Sequence, residues 1–131
     1  MSNTLKLFVM LIVGAFVFAC QPNPYKQGET LYQFHCENCH MADGSGLADL
    51  IPPLSSSDFL TDTSGRLVCL IRKGLPFNEQ TRQQMPPNGD LNEVELANLV
   101  NYLRSIYLEQ AKVVRVEDVK RWLAGCQSIE N

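Results

Sequence analysis

Apolar residues recur every three or four positions between Glu93 and Tyr107, which is the spacing of an amphipathic helix. Asn92 is suited to cap the start of this helix, and Glu95 three residues later completes the pattern of a capping box. The pattern predicts one well-defined helix. Its apolar stripe is formed by Leu96, Leu99, Val100, Leu103 and Ile106.

Shorter patterns of the same kind predict three more helices, over residues 25–38, 65–73 and 116–124. Gly28 lies four residues before Tyr32 in the first of them, on the same helix face. A glycine inside a helix is costly, so its presence indicates that another helix crosses closely there; a frayed helix start at Gly28 is the alternative. Because strand patterns are scarce, the helices indicate an all-α fold.

Two long loops separate the predicted helices. Residues 41–54 contain a glycine-rich turn cluster and a Pro-Pro pair, which cannot be helical throughout. Residues 75–89 contain a Met-Pro-Pro sequence, and loops of this length are usually functional or disordered. The pattern over residues 57–63 leaves its structure open.

The start of the chain has the pattern of an export signal. Residues 1–19 carry Lys6 and then an apolar run that is too short to span a bilayer comfortably, which is typical of a signal peptide. The run ends in Ala19-Cys20, which resembles a bacterial lipobox, although Phe18 fits that pattern less well. We expect cleavage before Cys20 and a lipid on its sulfur; an ordinary signal peptide or an uncleaved anchor are the alternatives. Residues 20–24 would then form a short tether.

Composition and charge narrow the possible functions. The chain has 131 residues, of which 45% are apolar and 19% charged, so it is of the globular class and long enough for one domain. Its formal net charge is −3, and removal of residues 1–19 would leave 10 basic and 14 acidic residues. A net negative chain is a poor candidate for binding nucleic acid, whereas a docking partner with a basic patch suits it.

Cys36, Cys39 and His40 form a Cys-x-x-Cys-His motif, the attachment signature of c-type haem. The two thiols can form thioether bonds to the vinyl groups of a haem, and the histidine can ligate its iron through Nε2. One motif therefore predicts one covalently bound haem c.

The Cys-x-x-Cys spacing also occurs without haem. It could belong to a thioredoxin-like redox pair, or to a zinc site that includes two later cysteines. Those later cysteines are single residues, and the βαβ pattern around a thioredoxin-like pair is missing from the sequence. Both alternatives are therefore weaker than the haem hypothesis.

A second axial ligand of the iron would have to come from a distant segment. His35 adjoins Cys36 and Met41 adjoins His40, so neither can easily reach the opposite haem face. Met85 remains, in a loop that the two prolines after it stiffen. We expect Met85 to ligate the iron; a role as a flexible core side chain is the alternative.

Cys69 and Cys126 are left once lipid and haem have been assigned, an even number in an oxidising compartment. We expect a disulfide between them, which requires residues 110–131 to fold back over the domain. Two buried free thiols are the alternative.

The order and spacing of these motifs over about residues 25–107 resemble those of the class I cytochromes c. The matching residues are Cys36, Cys39, His40, Pro52, Leu54 and Met85. The resemblance implies a small cytochrome c fold, in which the N- and C-terminal helices cross around one covalently bound haem. It places a domain at residues 25–109 and leaves residues 110–131 as a helical extension.

The resemblance also implies a set of residues around the haem. Pro52, with Pro53 as its rival, would turn its carbonyl toward Nδ1–H of His40 and so fix the ring. Leu54 would line the same site, and the helix contact would join Gly28 and Tyr32 to Leu99, Tyr102 and Leu103.

These features predict an electron carrier and not an enzyme, because protein ligands on both sides of the iron leave no open position for a substrate. It would pass single electrons between exported or membrane-bound redox enzymes, on the periplasmic side of a membrane that holds its lipid anchor. A haem-based gas sensor or ligand-binding protein, in which Met85 is displaced, is the alternative.

Overall fold

The computed structural model describes residues 23–126. The predicted signal peptide, the lipidation site at Cys20 and most of the tether lie outside the described residues and stay predictions. Within the described part, no helix is long and apolar enough to cross a membrane.

Six helices form the described part of the chain, and one turn of 3-10 helix, Leu54–Ser56, precedes the third. No strand forms between residues 23 and 126 apart from two isolated bridges, so the predicted all-α fold is confirmed. The helices are α1 (Lys26–His35), α2 (Glu37–His40), α3 (Asp58–Thr61), α4 (Arg66–Lys73), α5 (Glu93–Tyr107) and α6 (Val116–Ala124).

Helix α5 begins with the predicted capping box. Asn92 Oδ1 accepts hydrogen bonds from the backbone N–H groups of Val94 and Glu95, and Glu95 Oε2 accepts one from Asn92 N–H. These bonds satisfy N–H groups that have no partner inside the helix. The predicted apolar stripe is wrong at one position, since Ile106 near the helix end is 51% exposed.

The single helix expected over residues 25–38 is instead two helices. Cys36 has φ −125° and ψ −36°, which breaks the helical geometry between α1 and α2, although its N–H still donates to Tyr32 O at 2.8 Å. The break starts a new helical turn at the cysteine. The undecided residues 57–63 contain the short helix α3.

Helices α1 and α5 cross closely at Gly28, as predicted. A Cβ atom on Gly28 would lie 2.2 Å from the carbonyl oxygen of Asn98 and 2.5 Å from Cβ of Tyr102. Only a residue without a side chain allows this approach. Four residues on, the rings of Tyr32 and Tyr102 are 5.9 Å apart at their centroids, so one helix face makes both contacts.

The last described segment folds back against α4 and α5. The side-chain amide of Asn101 donates to Val114 O at 2.9 Å and accepts from Val114 N–H at 2.8 Å. Val114 and Val119 are both buried in the main core. The Trp122 ring covers Gly65 so closely that a Cβ there would lie 2.1 Å from its Cγ.

Cys69 of α4 and Cys126 lie at disulfide distance, with Sγ atoms 1.99 Å and Cα atoms 5.5 Å apart. This is the predicted pairing, and it fastens the end of the described chain to α4. The boundary at residues 109 and 110 stays a prediction.

Candidate functional site

The Cys-x-x-Cys-His motif forms one compact helical turn. The backbone N–H groups of Cys39 and His40 both donate to Cys36 O, at 3.1 and 2.9 Å. Two bonds hold the end of this turn in place: Tyr32 Oη donates to Met41 O at 2.6 Å, and Gly46 N–H donates to His40 O at 3.1 Å. The turn is therefore tied both to α1 and to the loop that follows.

The loop over residues 41–54 bends back toward the same turn. Gly46 has φ +73°, and a Cβ on it would lie 2.0 Å from Ile51 O. Two backbone contacts hold the same bend: an isolated bridge between Leu47 and Ile51, and a hydrogen bond from Leu54 N–H to Gly44 O at 2.8 Å. The bend brings residues 50–54 to the site.

Met85 is fixed by its backbone to the end of α4. Leu75 N–H donates to Met85 O at 2.8 Å and Met85 N–H donates to Leu75 O at 3.0 Å. Asn78 stabilises the turn between them, since its Oδ1 accepts hydrogen bonds from Gln80 N–H and Thr81 N–H at 3.0 Å each. Residues 75–85 thus form a short loop that is closed by the two backbone bonds between Leu75 and Met85. This loop places Met85, which is far from the Cys-x-x-Cys-His motif in sequence, at a fixed position beside α4.

One cavity of about 380 Å³ lies between these segments, within the usual size range of a cofactor or small-molecule site. Its wall is mostly apolar side chains from α1, α3, α4, α5 and the two loops. All six residues expected to bind the cofactor line it: Cys36, Cys39, His40, Pro52, Leu54 and Met85. Their individual roles stay predictions.

The chemistry of His40 fits a haem ligand. Burial lowers the pKa of its imidazole, so the ring favours the neutral form that metal ligation requires. Nδ1 of this ring is buried and has no hydrogen-bond partner among the described residues. An apolar cavity that both thiols and a neutral imidazole line suits a haem attached at the motif.

The same atom bears on the expectation for Pro52. The resemblance to class I cytochromes c implies that the carbonyl of Pro52 or Pro53 accepts a hydrogen bond from Nδ1–H of His40, and the structure does not form that bond within residues 23–126. Both prolines line the cavity. Which of them turns its carbonyl to the ring in the mature protein stays a prediction.

The cysteines give no support to the non-haem alternatives. Burial, together with the neighbouring Cys39, raises the pKa of the Cys36 thiol to about 11, whereas reactive redox cysteines have depressed pKa values. Cys69 and Cys126 are paired with each other. Between residues 23 and 126, no group of three or more His, Cys, Asp or Glu residues could hold a metal ion.

Several residues of the site could not be found by motif. The sequence indicates only a helix contact for Tyr32, yet in the structure Tyr32 also lines the cavity. Gly74 directly follows the predicted helix over residues 65–73, where a glycine indicates only a helix end. In the structure it has φ +74°, and a Cβ on it would lie 2.3 Å from Met85 O. Leu60 and Leu67 line the cavity from the core, and α3 carried no clear sequence signal.

The helical fold and the cavity that the Cys-x-x-Cys-His motif lines define a c-type cytochrome. Comparison with known families agrees. The chain belongs to the family described as cytochrome c oxidase, cbb3-type, subunit III, whose model matches residues 23–103, more than half of the chain. No curated protein matches it. A cytochrome c domain implies haem as the cofactor and electron transfer as the general activity.

Proposed function

We propose that this protein is a mono-haem carrier of single electrons, with His40 and Met85 as the axial ligands. The observation that carries the proposal is that the Cys-x-x-Cys-His turn and Met85, from two distant segments, line one apolar cavity. Bound haem would supply an iron that takes up and releases one electron. The residues of the chain would hold that group and set its properties.

Each residue of the site has a distinct role in this proposal. Cys36 and Cys39 would form the thioether bonds, and the neutral ring of His40 would bind the iron from the same turn. Met85 would fill the remaining axial position from its closed loop, and a methionine ligand raises the reduction potential. With both positions filled by protein, the site would exchange electrons without binding a substrate.

The setting of the protein is also a proposal. Residues 1–19 would direct export, and a lipid on Cys20 would hold the mature domain on the periplasmic side of a membrane. Its donor and acceptor would be redox proteins there. Because the name of the family refers to a cytochrome c oxidase, an oxidase of that type is one candidate acceptor.

The proposal is tested on protein matured with haem, by optical spectroscopy. Acid-acetone should leave the haem on the protein. The oxidised form should show the weak sulfur-to-iron charge-transfer band at the red edge of the spectrum, and Met85→Ala should abolish that band and lower the potential. A band that survives the substitution would contradict the assignment of Met85.

The same preparation distinguishes a carrier from a gas sensor. In a carrier, Met85 stays on the ferrous iron and carbon monoxide binds slowly at neutral pH. Rapid binding of carbon monoxide by the reduced wild-type protein would favour the sensor and overturn the proposed carrier.

A further inference from the structure

The guanidinium of Arg72 spans two carbonyl groups of the loop that carries Met85. Arg72 Nη1 donates to Gly89 O at 2.5 Å, and Nη2 donates to Leu91 O at 2.6 Å. Arg72 lies in the last turn of α4, two residues before Gly74, where the loop begins. Leu91 is 2% exposed and lies just before α5. A single planar side chain therefore connects the end of the loop, at residues 89–91, to the helix that precedes the loop.

The sequence after Met85 explains why such a fastening matters. Pro86 and Pro87 have no backbone N–H, so two consecutive residues after Met85 cannot donate a hydrogen bond. The next donor along the chain is Asn88 N–H, which bonds to Ile71 O at 2.9 Å. The stretch that would hold the ligand in place thus has few backbone bonds of its own.

The backbone is held on both sides of Met85, which limits where Met85 can lie. Met85 is bonded through its backbone to Leu75 on one side, and on the other side the chain is held through Asn88 and the Arg72 fork. All of these bonds end on residues 71–75, so the end of α4 acts as one support for the loop. The backbone of the loop also rests directly on Gly74.

The charge of Arg72 is directed to these carbonyls. Among the described residues, no carboxylate lies within ion-pair distance of Arg72, whereas the arginine at the start of the same helix, Arg66, lies 3.8 Å from Asp62. Hydrogen bonds from a charged donor are stronger than those between neutral groups.

We propose that Arg72 is the positioning residue for Met85: by joining Gly89 O and Leu91 O to α4, it keeps the methionine sulfur at the iron against competing ligands. The inference rests on the proposed ligation by Met85. It adds that the strength of this ligation depends on a residue that does not touch the haem site itself.

Displacement of Met85 by a small ligand tests this inference. Ferric protein of the wild type and of two variants, Arg72→Gln and Lys73→Gln, is titrated with imidazole while the charge-transfer band is followed. Both variants lose one positive charge from adjacent positions of α4. Only Arg72→Gln loses the loop contacts, because the side chain of Lys73 is exposed and makes no hydrogen bond or ion pair with any residue between 23 and 126.

The apparent binding constant of imidazole should rise about tenfold in Arg72→Gln, which corresponds to about 1.4 kcal/mol. In Lys73→Gln it should stay within about twofold of the wild type. Equal constants in the two variants would overturn the role of Arg72 and leave Met85 as the ligand. A wild-type protein without the band would overturn the ligation by Met85 and this inference with it.

Arg72→Lys keeps the experiment decisive if Arg72→Gln does not accumulate as a haem protein. A lysine keeps the charge but presents one ammonium group in place of the planar fork, so it cannot span both carbonyls in the same way. The apparent binding constant of imidazole for Arg72→Lys should lie between the wild-type value and ten times that value. A constant equal to that of the wild type would show that the fork is not needed.

Discussion

Replacement of Cys69 and Cys126 by alanine together removes the link between α4 and the end of the described chain. The two residues are 57 positions apart, so the bond closes a long loop that includes the Met85 segment, α5 and α6. Without the bond, this loop gains freedom mainly in the unfolded state. We expect the double variant to fold, because the contacts of Val114, Val119 and Trp122 remain.

The size of the effect follows from the length of the loop. The chain-entropy relation gives about 4 kcal/mol for a loop of this length, and removal of native disulfides from small domains costs about 2–5 kcal/mol. We expect the free energy of unfolding to fall by about 2–4 kcal/mol. Val114 and Val119 belong to the same buried cluster as the core residues of α5, so unfolding should remain a single cooperative transition.

The assay is unfolding in guanidinium chloride, followed by far-ultraviolet circular dichroism. Substitution is preferable to a thiol reductant, which would also reduce the haem iron. Lys120→Ala, at an exposed position of α6, serves as the control and should unfold like the wild type. A loss below about 1 kcal/mol in the double variant would refute the reasoning. Labelling of two free thiols in the unfolded, unreduced wild type would also refute it, because Cys69 and Cys126 would then not be bridged.

Two further substitutions test the helix crossing and the membrane anchor. Gly28→Ala should lower the free energy of unfolding by about 1–3 kcal/mol, because the new Cβ would clash with Asn98 O and this outweighs the better helix propensity of alanine. Gly89→Ala is the control, since a Cβ there meets nothing within 4 Å. Equal stabilities of the two variants would contradict the crossing. The mature wild type should begin at Cys20 and carry the added mass of a lipid on that residue, and Cys20→Ala should lose the added mass; an unmodified Cys20 in the wild type, seen by mass spectrometry, would contradict a lipid anchor.

The sequence predicts those features that depend on neighbouring residues. The capping box of α5 is a contact across three positions, and the Cys-x-x-Cys-His motif needs only one helical turn to bring its side chains together. The crossing at Gly28 could also be predicted, because a glycine four residues before an aromatic residue indicates both a close approach and the face that makes it.

The features that the sequence did not predict are contacts between distant segments whose residues carry no motif, such as a spare cysteine pair or a glycine inside a helix. Nothing near Arg72 indicates that its guanidinium reaches carbonyls 17 and 19 positions away. Gly74 has the pattern of an ordinary helix end, and only the folded chain shows Met85 O against it. The break at Cys36 is a local feature that the sequence does not show, because the residues on both sides of it fit one continuous helix.

The bonds that hold the segments of the two proposed ligands, His40 and Met85, share one property. Tyr32 Oη donates to Met41 O, Gly46 N–H donates to His40 O, and Arg72 donates to the carbonyls beyond Met85. Every acceptor is a backbone carbonyl, which has no proton to gain or lose near neutral pH, and burial raises the pKa of the Tyr32 hydroxyl away from that range. Changes in pH around neutrality therefore leave these supports intact. The proposed carrier would have to keep the same ligands while it meets both donor and acceptor, and a fixed frame of this kind meets that requirement.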